Sequence, residues 1–435
     1  MSQSANTAVR DLSAAESSST VRWRIFAIVF VVVVINLIDR TTLSIAMPTI
    51  GREFALSPAM QGVLLSSFFW SYALLQVPGG WLIDRFGPRR IIAGSTVLWG
   101  AFQALAAMAT GGLSLLLTRV GLGAAEAPVF PAGAKLSSLW LSPQERGRGA
   151  VFMDSGAPLG AAFGGVIISF LILVLQSWRL AFLVAGLATI ALGAVAWRYL
   201  RDDPATHPGV NAAELSHITG ATTAEPGAVL VEAPPRIAPR SMAGLLVGRM
   251  AWAMINFGLL TWGPSYLAQA RGFDLKQMGY ATFVIFLCGM AGSLFAGFTA
   301  DALLARGWAR STVYKGMLGL SGLATLSAFI ALPYVSDPVG AVAILSATLF
   351  FLYWGSLYWS LPTVLAPREK VGLLGGVMNF AGSSSGIAVP IITGGILQLF
   401  GNYYAVLLFF AGCAALYIVG TSLIAFPALR LARSA

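Results

Sequence analysis

The chain has 435 residues, 57% hydrophobic and only 10% charged, with a formal net charge of +10. Soluble globular and disordered proteins are excluded, because the charges cluster between long apolar blocks as they do in a polytopic membrane protein. The positive excess does not indicate nucleic acid either, since its distribution along the loops reports membrane topology.

In chain order, the first 22 residues are polar and of low complexity, including Ser13 to Thr20. With no short apolar region and cleavage site behind them, they read as a disordered cytoplasmic tail (1–22) rather than a signal peptide. A membrane helix needs about 20 residues to cross about 30 Å of hydrocarbon. Blocks of that size occur at 23–47, 59–82, 91–110, 113–138, 149–174, 178–200, 242–268, 277–301, 312–334, 339–364, 372–399 and 402–427. They are continuously apolar, without the alternation of a barrel strand, so the expected fold is an all-α integral membrane protein of twelve transmembrane helices. A polar stretch at 201–241 divides them six and six, giving two six-helix bundles at 23–200 and 242–428 joined by a cytoplasmic linker, with a short tail at 429–435. Placing the N-terminus inside puts nearly all loop arginines and lysines inside as well, so both termini are expected in the cytoplasm. Cys288 and Cys413 lie in spans, and His207 and His217 lie in the linker. No disulfide framework, metal site or nucleophile and base set follows, so the chain does not read as an enzyme.

Asp39 and Arg40 interrupt span one in the stretch N-L-I-D-R, Asn36 to Arg40. A charge near the bilayer centre costs at least about 2.5 kcal/mol and by default marks function. Arg119 and Glu126 of span four are two helical turns apart and share a face. Together the four form a formally neutral buried set, which is either a static network tying spans one and four or a working site. Asp154 in span five is either a further membrane acid or a helix-end acid near Arg148. Most glycines, as in Ser155 to Gly165, suit close helix packing.

After span two comes G-x-L-x-D-R-x-G-x-R-R, formed by Gly80, Leu82, Asp84, Arg85, Gly87, Arg89 and Arg90. A fainter copy after span eight has Gly297, Asp301 and Arg306. Asp84 at a helix end is placed to pair with an Arg of a neighbouring cytoplasmic segment, an ion pair that closes one access state and breaks in the other.

That pattern resembles the signature loop of the major facilitator superfamily. N-L-I-D-R, the run Ser66 to Gly80 (S-S-F-F-W-S-Y-A-L-L-Q-V-P-G-G) and the run Arg119 to Pro131 (R-V-G-L-G-A-A-E-A-P-V-F-P) together resemble its anion:cation symporter family. The stretches Leu260 to Phe273 and Asp202 to Leu215 look familial too, so the resemblance covers nearly the whole chain. It implies two bundles with spans one and four facing a central cavity. It also implies that Arg40 binds a substrate carboxylate, that Glu126 acts in proton coupling, and that Tyr72 donates to substrate. On residues alone, Tyr72 is a lipid-facing or core aromatic. An arginine fork suits a carboxylate. The expected mechanism has the bound anion competing with Asp39 and Glu126 for Arg40 and Arg119, so that the acids take up protons.

The second half offers Asn256, Trp262, Tyr353, Tyr358, Asn379 and Ser383 to Ser385 as polar candidates. Asn379 is the first choice for a substrate hydroxyl or second carboxylate, against plain helix–helix bonding. Ser383 or Ser384 stands where sugar-acid carriers tend to have another amide. The expected function is therefore proton-coupled uptake of a small organic carboxylate, such as an aldonate, hexuronate or aldarate, by a monomer in the bacterial inner membrane. Lipid surrounds it, protons are the coupling ion, and no cofactor, metal or nucleic acid takes part. The alternatives are an organic-anion exchanger or exporter, or a carrier of dicarboxylates or aromatic carboxylates.

Overall fold

The computed structural model describes residues 18–142, 145–220, 237–366 and 371–426. The first half contains α1 (Val21–Glu53), α2 (Pro58–Phe86), α3 (Pro88–Leu105, extended by a 3-10 turn to Met108), α4 (Gly112–Glu126), α5 (Val129–Trp140), α6 (Arg146–Leu175) and α7 (Trp178–Tyr199). A short helix α8 (Ala212–Gly220) follows in the linker. The second half contains α9 (Pro239–Arg271), α10 (Leu275–Ala305), α11 (Arg310–Ala331), α12 (Pro338–Leu352), α13 (Leu361–Leu365), α14 (Val371–Phe400) and α15 (Tyr403–Leu423). Among the described residues eleven segments are long and apolar enough to cross a membrane, and the remaining expected span is α2, a helix of 29 residues. The expected fourth span is two helices in line, α4 and α5. Pro128 and Pro131 each remove an amide hydrogen, which breaks the helix just after Glu126.

Within the first half α1 packs on α6, α2 on α4 and α3 on α7; within the second, α9 packs on α14 and α15, α10 on α12 and α11 on α15. The halves meet through α6 with α10, α2 with α14 and α1 with α9. Small residues permit this approach. A Cβ at Gly62 would lie 2.4 Å from the Pro390 carbonyl oxygen, and one at Gly165 would lie 2.8 Å from Thr282. Phe69 meets Phe257 at 4.8 Å between centroids, and Phe163 meets Phe283 at 5.4 Å. All these contacts lie between the middle of the helices and the end remote from the linker, here the far end. Toward the linker end of the same α2 and α14, a Cβ at Gly80, Gly375 or Gly376 would meet nothing within 4 Å. The contacts named between the halves thus lie from the middle to the far end, while these linker-end glycines have open space beside them.

The expected tail ends earlier than residue 22, because its last residues belong to the folded body. Fully buried Glu214 of α8 accepts hydrogen bonds from Ser19 Oγ, from the Val21 and Arg22 backbone amides at 3.1 Å each, and from Arg22 Nη1 at 2.9 Å. Arg22 Nη2 also reaches Glu145 at 3.2 Å, where Ser142 Oγ and His217 Nε2 converge. The linker is likewise partly ordered, with a 3-10 turn at Pro204–Thr206 before α8. Residues 1–17, 221–236 and the tail at 429–435 lie outside the described residues.

Burial alone would push the Glu214 carboxyl up, but the hydrogen bonds from Ser19, Arg22 and Val21 outweigh it and hold it below the ordinary glutamate value. Its stabilisation is then fully present above that value and is lost as pH falls through the lower folded value. Glu214→Ala is expected to remove about 2 kcal/mol of stability at pH 7. In detergent the mutant's melting temperature should fall below that of the native chain at neutral pH, and the gap should narrow in strong acid. An equal gap at both pH values would contradict the assignment.

Candidate functional site: ionisable groups at the boundary of the halves

Gly123 of α4 packs so closely on α2 that a Cβ there would lie 2.1 Å from the Phe68 carbonyl oxygen. Ser71 Oγ pins the same two helices by donating to the Val120 carbonyl at 2.6 Å. This contact brings the aromatic face of α2 against α1 near its middle, where the Arg40 guanidinium lies 4.7 Å from the Phe68 ring centroid and 4.5 Å from that of Tyr72. Arg40 Nε donates to Glu126 Oε2 at 2.8 Å, with the Glu126 side chain fully buried and the Arg40 side chain 10% exposed. The helix break after Glu126 leaves it as the last residue of α4, facing α1. Arg119, also buried, lies 5.7 Å from the Phe68 ring. Among the described residues Arg40 Nη2, Arg119 Nε, Glu126 Oε1 and both polar atoms of buried Asn36 lack a hydrogen-bond partner.

A narrow pocket adjoins them, lined by Arg40, Leu65, Phe68, Phe69 and Arg119 of the first half and by Leu260 and Thr261 of the second. Two cations therefore face the second half across its boundary. Guanidinium nitrogens left without a partner on a rigid scaffold are donors of the kind a small carboxylate binds.

Asp39, the fourth charge of the expected set, neighbours Glu126 and Arg119 but forms no ion pair with this set among the described residues. Successive residues on a helix point about 100° apart, so with Arg40 aimed at Glu126 the Asp39 side chain turns toward α3 and α7. Its Oδ2 accepts from Trp99 Nε1 at 2.9 Å and from Thr189 Oγ1 at 2.8 Å. Arg119 reaches only the Asp39 backbone carbonyl, at 3.4 Å. Buried Gln103, one turn after Trp99, leaves both side-chain polar atoms unbonded among the described residues.

In the second half, Trp262 Nε1 donates to the Pro390 carbonyl at 3.1 Å and so is spent on holding α9 to α14. Tyr353 lies against Gly289 of α10 and edge-on to Trp252, Tyr358 bonds Thr421 at 2.9 Å, and Asn256 is half-buried on α9. Ser384 bonds back to its own helix and Ser385 donates to the Met250 carbonyl. Half-buried Asn379 and buried Ser383 share a face of α14 with Gly386, which packs on the Phe69 ring. That face leads from the pocket toward the linker end. Arg249 of α9 is buried against the rings of Trp252 and Trp359, at 4.3 and 4.8 Å from their centroids.

At the signature loop, Gly87 has φ of +83°, which favours glycine, and turns the chain sharply between α2 and α3. The partner of Asp84 is Lys135 of α5 at 3.0 Å, not an arginine, because α5 runs beside the linker end of α2. Both belong to the first half. Arg85 lies over Trp81, Arg90 is exposed, and Arg89 is held on the Trp197 carbonyl. Exposed Asp301 has no ion pair among the described residues. The side chain of Asp154 lies outside the described residues.

Two six-helix halves with ionisable groups at their boundary define the build of a secondary membrane transporter. The chain belongs to the Major Facilitator Superfamily, whose family model matches residues 29–390. It is 32% identical over 413 residues to the probable galactarate/D-glucarate transporter of Escherichia coli (strain K12), covering 91% of this chain and 92% of that protein. It is 30% identical to the probable galactarate/D-glucarate transporter of Bacillus subtilis (strain 168), covering 96% and 94%. To the D-galactonate transporter of Escherichia coli O6:H1 it is 31% identical, covering 87% and 90%. The fold matches a bacterial homolog of the human lysosomal transporter Spinster, in an inward-facing and occupied conformation, with a TM-score of 0.73 at 16% identity, covering 94% and 97%. These relatives are transporters and not enzymes, in keeping with the sequence.

Thr189→Val keeps the side-chain volume and removes one of the two donors on Asp39. It is expected to lower stability by about 1 to 3 kcal/mol. In the Asp39→Asn background, which no longer presents a carboxylate, the same substitution should cost less. Equal costs in both backgrounds, read from thermal unfolding in detergent, would remove the Thr189–Asp39 bond from the account.

Proposed function

We propose that the protein is a proton-coupled symporter that takes up a small organic carboxylate of the sugar-acid class, with the linker end in the cytoplasm. The observation that carries this reading is the Arg40–Glu126 pair beside a pocket that spans both halves. An anion arriving at Arg40 competes with Glu126 for the guanidinium. A carboxyl group that loses its cation in a low-dielectric site is driven to its neutral form, so Glu126 takes a proton as the anion binds. Anion and proton then favour each other's binding, which is the linkage that symport needs. Relatives named for galactarate, D-glucarate and D-galactonate support the substrate class.

Asp39 has a different part in this scheme. Its carboxylate is held by Trp99 and Thr189, out of reach of an anion at Arg40, so it exchanges its proton through a rearrangement of α1 against α3 and α7 and not by direct displacement. Asn379 and Ser383, on the face of α14 that leads to the pocket, meet the substrate's hydroxyl groups. The Asp84–Lys135 pair sits where the halves part, and its rearrangement accompanies closure of the linker end.

In proteoliposomes, an inward proton gradient is expected to drive accumulation of one class among labelled aldonates, hexuronates, aldarates and aromatic carboxylates. Exchange that ignores the gradient would favour the antiporter reading. Glu126→Gln should retain exchange and lose gradient-driven accumulation. Arg40→Lys should weaken substrate binding at least about tenfold, since an ammonium cannot replace a planar fork lying against two aromatic rings. Unchanged affinity in that variant would remove Arg40 from the substrate site.

A further inference from the structure

A cleft of about 650 Å³ opens at the linker end of the first half, away from the substrate pocket, lined by Arg89, Ala194, Trp197, Arg198, Tyr199, Arg201, His207 and Pro208. It lies where α3 begins and α7 ends, the level at which a membrane helix passes from hydrocarbon to headgroups. Tryptophan and tyrosine concentrate at that level. Three arginines of separate backbone origin converge there. Arg89 is fixed by bonds from Nε and Nη2 to the Trp197 carbonyl, at 3.1 and 2.9 Å, and by its guanidinium 4.9 Å from the Trp197 ring. Arg201 is fixed through Nη1 on the Arg198 and Leu200 carbonyls at 2.8 Å. The exposed Arg198 guanidinium has no hydrogen-bond or ion-pair partner among the described residues.

The acids nearby are already engaged. Asp202 accepts from the Arg89 backbone amide at 2.7 Å and packs beneath Gly87, and Asp203 accepts from the Ala205 amide at 2.9 Å. His207 adds no charge near neutral pH, because burial and the neighbouring Arg201 hold its imidazole below the ordinary histidine value. Neither Asp202 nor Asp203 forms an ion pair with Arg89, Arg198 or Arg201 among the described residues, and three guanidinium groups beside two carboxylates leave a net positive charge and free N–H donors in the cleft.

The wall of the cleft continues into an apolar stripe. Leu187, Ala191, Ala194 and Arg198 fall on one face of α7 and all are exposed on the first half's outer surface. Gly94 of α3, beside it, has nothing within 4 Å of a Cβ position. A soluble anion has no use for such a stripe, whereas a phospholipid fills both parts, with phosphate among the arginines and an acyl chain along Leu187 and Ala191.

We propose that this cleft binds the phosphate group of an anionic phospholipid in the leaflet at the linker end. Basic pockets between membrane helices at one leaflet are suited to such headgroups. Arg89 and Gly87 belong to the signature loop, so the lipid holds the turn between α2 and α3 from its outer side while Lys135 holds Asp84.

The test uses the full chain in nanodiscs of phosphatidylcholine alone or with one-fifth phosphatidylglycerol, reading bound lipid by native mass spectrometry after release. The native chain is expected to retain phosphatidylglycerol selectively, and Arg198→Gln to reduce that retention about fivefold. Arg310→Gln, at the corresponding end of the second half, should leave it unchanged. Absence of selectivity in the native chain, or equal losses in the two variants, would overturn the proposal. Glycerol 3-phosphate added to phosphatidylcholine discs should not raise the melting temperature as phosphatidylglycerol does, and an equal rise would reassign the cleft to a free phosphate.

Discussion

A guanidinium in hydrocarbon is costly without a fixed counter-charge, and the contact between Arg40 and Glu126 supplies one in the first half. Several local features serve it. The two prolines that interrupt the fourth span end α4 at Glu126, and the glycine that lets α2 approach α4 brings the rings of Phe68 and Tyr72 onto the guanidinium. The same contact leaves one nitrogen of Arg40 and one oxygen of Glu126 without partners among the described residues. A pair so placed is stable enough to exist in the membrane and incomplete enough to admit a third group.

The two acids of the first half illustrate how neighbouring residues acquire different chemistry. Glu126 is held by a cation that an anion can claim, whereas Asp39 is held by an indole and a hydroxyl that no anion at Arg40 can reach. In the proposed symport, proton binding at the first responds to occupancy of the pocket, and proton binding at the second to how α1, α3 and α7 are packed, so that one site senses the ligand and the other the conformation.

Much of this was legible in the sequence. Span number, the division at the linker and the signature loop rest on hydropathy, charge and fixed glycine offsets, all local properties. The shared face of Arg119 and Glu126 follows from helical spacing, and the importance of Arg40 from the cost of burying it. The orientation of Asp39 was not legible, because it depends on the rotation of α1 within the bundle and on Trp99 and Thr189, two residues with no sequence proximity to it. Lys135 as the partner of Asp84, the burial of Arg249 and the clasp of Glu214 on Ser19 and Arg22 likewise depend on which helices lie side by side. A signal for Glu214 existed, in an acid on a short helical stretch of the linker facing a basic residue before the first span. For Trp262 the residue type suggested a donor to substrate, and the bundle's own need to bond the Pro390 carbonyl took precedence.

Among the described residues the seal at the far end is made of glycines against backbone and ring against ring, with a neutral hydrogen bond across it from the Ala59 amide to Gln398. None of the ion pairs among the described residues crosses between the halves. Dispersion contacts of this kind are indifferent to dissolved salt, while the exposed charges gathered at the linker end are screened within about 10 Å at ordinary ionic strength. In the proposed cycle the two ends of one molecule therefore answer to different solvents: the far one to the hydrocarbon and water that replace its packing, the near one to the electrolyte of the compartment it faces.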